Sequence, residues 1–253
     1  ITRVSQAGTL TGMSSLNRGL DLRVTPYVTG GATRILEDGI ESDGFDPEVG
    51  VDLKFGVTPG LNLDVTINTD FAQAEVDDEQ VNLTRFQLFF PEKRDFFLEN
   101  SGTFTVGSAT PFNRIVDLFF SRRIGISASG EPVPILGGAR LTGKIGRNDI
   151  AIMDVQTDDA FGRSGDNFLV TRFSRNILSR SRVGGMFINR EETDGDHYNR
   201  TYAADFSVSP HAALNVIGFI GKTDTPELTG DNMGSYLNAT SPCSYTTLTM
   251  PTT

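Results

Sequence analysis

The sequence predicts an all-β protein: an antiparallel up-and-down β-barrel of the outer-membrane type, with about 10 strands and a long inserted segment at about 69–132. Three observations predict it. Apolar and polar residues alternate with period two across tight turns. Short turns alternate with long polar connections, as barrel strands joined at a short-turn and a long-loop end require. The non-apolar face carries full charges, namely Asp52, Lys54, Asp64, Arg140, Lys144 and Arg172, as a wet lumen would. A soluble β-barrel or sandwich satisfies the first observation equally well, because it too needs one apolar face.

The first hairpin is the clearest. In 50–58 (GVDLKFGVT), Val51, Leu53, Phe55 and Val57 alternate with Asp52, Lys54 and Gly56. Pro59-Gly60 makes the turn, and 61–68 (LNLDVTIN) puts Leu61, Leu63, Val65 and Ile67 on one face. A second hairpin turns at 146–149, between PILGGARLTGKI and IAIMDVQT. A third joins NFLVTRFS to RVGGMFINR through RNILSRS, and a fourth joins YNRTYAADFSV to AALNVIGFIGK through a turn holding Pro210. The connections at 157–166 and 191–199 are polar and acidic. Tyr27, Phe55, Phe168, Tyr202 and Phe219 fall where an aromatic girdle is expected.

The chain reads as one β domain over 1–224, followed by an irregular Thr/Ser-rich tail over 225–253. Its 253 residues can bury a sizeable core. It starts at Ile1 and so reads as a mature form, a fragment or one domain of a longer product. A net charge of -10, from 32 acidic and 22 basic residues, argues against nucleic acid as a partner. No run approaches the roughly 20 apolar residues of a membrane helix. One cysteine, Cys243, makes neither an internal disulfide nor a zinc site.

The densest chemistry lies in 68–99, NTDFAQAEVDDEQVNLTRFQLFFPEKRDFFLE. Together with GVDLKFGVTPGLNLDVTI before it, and LFFSRRIG and PILGGARLTGKIG after it, this segment resembles the outer-membrane β-barrel domain of an uncharacterised bacterial family. There the barrel commonly follows a periplasmic domain similar to family 9 carbohydrate-binding modules. The resemblance covers roughly residues 15–225. It implies a bacterial outer-membrane location, lipid as a partner, and a link to carbohydrate. The chain departs from the family in lacking the carbohydrate-binding-like domain and the further strands expected after 225.

Three sets of side chains are candidate sites. Asp70, Glu75, Asp77 and Asp78, with Glu79, offer hard oxygen ligands to a divalent cation such as calcium, although no EF-hand spacing is present. The competing reading is a solvated acidic loop. Glu92 and Glu99 are the carboxylates that an acid–base pair on a glycosidic bond would need. Arg85, Arg94, Arg122 and Arg123 are the cations that would bind a ligand or tune those carboxylates. The competing reading is an internal ion-pair network that pins a plug-like segment, with Phe86, Phe89, Phe90, Phe96, Phe97 and Phe104 as its packed core. His197 and His211, with Ser164 or Ser209, leave a catalytic triad only formally open.

Two functions follow. The first is a non-enzymatic outer-membrane barrel, porin-like or surface-binding, that serves carbohydrate uptake and needs no resident cofactor. The second is a hydrolase, a glycosidase or esterase, using carboxylates of the insertion. Unpaired first and last strands would invite association of copies through open sheet edges.

Overall fold

In the computed structural model, residues 21–37, 40–69, 91–106, 117–127, 130, 132–195, 197–211, 214–226, 228, 230, 232–241 and 244–249 are described. They form one antiparallel sheet of eleven strands, each paired with its neighbours in chain order. The strands are β1 Leu22–Glu37, β2 Ile40–Thr58, β3 Leu61–Thr69, β4 Ile135–Ile145, β5 Asn148–Thr157, β6 Asp166–Leu178, β7 Ser181–Glu192, β8 Tyr198–His211, β9 Leu214–Asp224, β10 Met233–Ser241 and β11 Ser244–Thr249. The architecture is all-β and up-and-down, as the alternation predicts. Among the described residues the sheet does not close: β1 pairs only with β2, and β9 continues to β10 rather than returning to β1.

The hairpins at 59–60 and 146–147 match the predicted turns. The third turn is tighter than expected, because β6 runs through Leu178 and leaves only 179–180 between strands. The segment expected to be an irregular tail carries β10 and β11, and β10 pairs with β9 from Met233 to Thr240. Thr and Ser dilute its apolar alternation, yet the exposed edge of β9 supplies a template for pairing. Connections at one end are short. At the other end lie 158–165, 193–197, 225–232 and the long insertion 70–134.

The two faces of the sheet differ sharply. Register places Leu22, Phe55, Leu63, Leu141, Ile152, Thr171, Phe187, Tyr202, Lys222 and Met233 in one row, and Val24, Leu53 and Val65 in the next. This face is largely bare: Val28 is 73% exposed and Phe173 50%. The opposite row runs Arg23, Lys54, Asp64, Arg140, Met153, Val170, Ile188 and Thr201. On this second face the described part of the insertion lies, and it buries Arg140, Thr142 and Val170 almost completely.

Phe97, Phe104, Val106 and Ile124 of the insertion join Ala151, Met153, Val155, Val170, Met186 and Phe219 of the sheet in the core. Each of these side chains larger than Ala151 contributes roughly 1.5–3 kcal/mol on burial. Phe168 and Phe219 therefore belong to the covered face, and the register puts Tyr27 there too, a correction to their expected place in an outward girdle; Tyr202 and Phe55 do lie on the bare face. Alternation fixes which residues share a face, not which face an isolated aromatic joins. Gly138 makes the close approach possible: a Cβ there would lie 3.3 Å from the Phe96 ring and 3.2 Å from Val155.

Candidate functional site

The covered face is polar on β2–β4 and mainly apolar on β5–β9, where Arg172 and Asp205 are the buried charges, and the insertion lies over both parts. Its residues 94–98 form a single helical turn, α1 (Asp95–Leu98), after Arg94. One turn carries little helical stability of its own, so side-chain contacts hold it. Phe96 and Phe97 meet edge to face with centroids 5.1 Å apart. Phe97 is buried on the apolar half, while Glu99 and Asn100 emerge over the polar half.

Glu92 and Arg94 lock the insertion internally. Arg94 Nε and Nη2 each donate to a different Glu92 carboxylate oxygen at 2.8 Å. The Lys93 and Arg94 amides donate to Glu92 Oε1 at 3.1 Å, and the Ser121 hydroxyl donates to Oε2 at 2.7 Å. Arg94 also donates to the Ile124 and Ser121 carbonyls at 2.7 and 2.9 Å, and so ties 92–94 to 121–124. Its guanidinium sits 4.2 Å from the Phe97 ring centroid. Burial pushes the Glu92 carboxyl up, but Arg94 and the Ser121 hydroxyl outweigh it and hold the group below the usual carboxylate range. Five donors occupy Glu92, which makes it a structural anion in this state.

Glu99 has a separate set of partners, on the sheet. Its Oε2 pairs with Lys54 Nζ and lies 3.9 Å from Arg140 Nη2, and its carbonyl accepts from Arg140 Nη1. Arg140 Nη2 also donates to Asp64 Oδ2 at 2.7 Å, and Lys54 Nζ is 3.8 Å from Asp64 Oδ1. Asn100 Nδ2 donates to Thr142 Oγ1 at 3.2 Å. Arg140 lies 5.2 Å from the Phe96 ring centroid. Arg140 and Asp64 are buried, whereas the Lys54 and Glu99 side chains are 37% and 39% exposed. The seam thus has a dry floor and a wet rim.

Among the sequence-derived candidates, the structure ties Glu92 to Arg94 and places Glu99 elsewhere, with Lys54 and Arg140. Arg122 is buried, donates to the Pro91 carbonyl at 2.8 Å, and its pKa is lowered by burial. Arg123 is exposed. Arg85, Asp70, Glu75, Asp77 and Asp78 lie outside the described residues. Among the described residues, no group of three or more His, Cys, Asp or Glu is placed to hold a metal ion. Sequence reasoning put Lys54, Asp64 and Arg140 on one charged face; it did not pair them with Glu99. A second buried pair, Arg172 with Asp205 at 2.5 Å, spans β6 and β8. Gly184 leaves it room, since a Cβ there would sit 2.7 Å from the guanidinium.

On the bare face, a shallow depression of about 720 Å³ is lined by Ile150, Ile152, Phe173, Phe187, Tyr202 and Ile220, among others. Its walls are almost wholly apolar.

Residues 19–139, which include β1 to β3, the insertion and the start of β4, match the family described as a domain of unknown function (DUF5916). No curated protein and no solved structure matches the chain.

Proposed function

We propose that this chain is the wall and internal plug of a bacterial outer-membrane β-barrel that binds or admits a polar solute. The observation that carries the reading is that the sheet buries charges beside its core on one face and leaves a second, apolar face bare. A soluble sheet buries its apolar face and wets its polar one. Here Arg140, Asp64, Thr142, Arg172 and Asp205 are buried, while Val24, Val28, Val49, Ile152, Phe173 and Ile220 stand bare. An exposed apolar surface of this extent marks contact with another apolar phase. A bilayer supplies that phase, and strands of about 9–11 residues suffice to cross it. Among the described residues no helix is long and apolar enough to cross a membrane, which leaves strand crossing untouched.

Three further features support the reading. Every connection at one end of the sheet is short, and all the long ones lie at the other, together with the short β1–β2 link at 38–39. Tyr202 and Lys222, adjacent in register on the bare face, suit a membrane–water interface. The charged seam faces away from the apolar surface, as a lumen lining would. In a bilayer the edges of β1 and β11 that are open among the described residues must be covered, and another copy of the chain is the partner this reading names. Carbohydrate, which the family resemblance implies, is the first solute class to screen.

Partitioning tests the proposal. The protein should require detergent, insert into vesicles and migrate differently on gels before and after heating. A monodisperse, detergent-free protein that ignores vesicles would overturn it.

A further inference from the structure

The row Arg23, Lys54, Asp64 and Arg140 on the covered face holds three cations against one carboxylate. Asp52, two residues before Lys54 on the same face of β2 and opposite Thr66, accepts the Thr66 hydroxyl at 2.6 Å. The second negative charge at this row comes from the insertion: the Glu99 carboxylate, which meets Lys54 and approaches Arg140. Arg140 is fixed from below by Asp64, with Nε and Nη2 at 3.3 and 2.7 Å from Oδ2. Its remaining direction is toward Glu99. Lys54 and Glu99 are both more than a third exposed, so a solute can reach their pair without unpacking the phenylalanines. An ion pair at such a wet rim is weak and exchangeable, in contrast to the saturated Glu92–Arg94 lock.

We infer that Lys54 and Arg140 form a carboxylate-binding site on the sheet, and that Glu99 is its internal occupant, displaced when a carboxylate-bearing solute binds. The solute takes the Glu99 carboxylate's place on the half-exposed Lys54 Nζ and beside Nη2 of the buried Arg140, while Asp64 keeps the arginine oriented. The insertion stays seated through Phe97, Phe104 and the Asn100–Thr142 hydrogen bond. The inference does not depend on what the bare face touches, so it and the partitioning test fail separately.

An internal competitor lowers apparent affinity by the fraction of time it holds the site. Calorimetric titration of the full chain in detergent with galacturonate, and with galactose as the neutral control, should therefore show tighter galacturonate binding in Glu99→Gln, by about fivefold for a weak exposed pair. Galactose should show no such gain. Lys54→Met, alone or with Glu99→Gln, should remove the preference for galacturonate. A disulfide between Asn100→Cys and Thr142→Cys reports whether the insertion remains seated in each variant. Fivefold tightening with the disulfide formed supports the site; tightening only where the disulfide fails to form means that the insertion leaves with Glu99, and overturns it. Equal affinity in wild type and Glu99→Gln, or a galacturonate preference that survives Lys54→Met, overturns it.

Discussion

The covered and bare faces of this sheet share the same strands and the same backbone, yet they obey opposite rules. On the covered face, Arg140 is 1% exposed and satisfied by Asp64 and by the Glu99 carbonyl and carboxylate. On the bare face, Ile152 is 39% exposed and sits beside a shallow apolar depression. The difference teaches where the free energy of this fold resides. Charged side chains are buried there in pairs within the sheet, Arg140 with Asp64 and Arg172 with Asp205, and the insertion adds Glu99, Asn100 and its phenylalanines over them. The apolar side chains of the bare face have no protein cover among the described residues.

The largest expected effect breaks the covered face. Arg140→Met leaves Asp64 buried with only Lys54 at 3.8 Å, and removes the donor to the Glu99 carbonyl, while Lys54 still holds the Glu99 carboxylate. Removing one partner of a buried pair costs about 3–5 kcal/mol, here toward the lower end because Lys54 remains. Urea unfolding in detergent, followed by tryptophan-free circular dichroism, measures it; a loss below about 1 kcal/mol would mean the pair is effectively solvated.

The next effect tests the bare face. Ile152→Arg, at the middle of β5, should cost about 2–4 kcal/mol if that position meets the centre of a bilayer. A half-exposed site in water would tolerate the same change to within about 0.5 kcal/mol. Folding yield and urea midpoint in vesicles, set beside those in aqueous buffer, decide which rule the bare face follows.

The smallest effect sharpens the comparison through pH. Glu92 has its folded-state pKa lowered below the ordinary value of 4.5 by Arg94 and Ser121, despite burial. A depressed carboxylate contributes stability that is fully present above the unfolded value and is lost as pH falls through the folded one. The wild type should therefore lose stability on acidification below pH 4.5, and Glu92→Gln should flatten that slope while costing about 1.5–3 kcal/mol at neutral pH, the range for hydrogen bonds to a charged group. An unchanged acid limb in Glu92→Gln would assign the pH dependence to other carboxylates.

Much of the scaffold was legible in the residues themselves. Strict alternation in 50–68 fixes which side chains share a face, and Pro59-Gly60 fixes the turn between them. The Glu92–Arg94 pair was also legible, because its partners are two residues apart and a turn brings them together. Glu99 was harder. Its partners Lys54 and Arg140 are 45 and 41 residues away, and several nearer arginines competed for it on paper. The strands β10 and β11 were missed because Thr, Ser and Asn blur the apolar period, and pairing with β9 decides what composition leaves open.

By itself the sequence determined the alternation, the hairpin turns, the long insertion and the presence of one charged and one apolar face. These are local properties, set by the two-residue period of the strand and by the φ preferences of proline and glycine. Only the tertiary structure decided that the charged face is the covered one, that Glu99 belongs to the sheet rather than to its own segment, and that the described sheet stays open between β1 and its last strand. Those outcomes depend on which distant surfaces meet, and on desolvation that a charge tolerates only when its partner arrives with it.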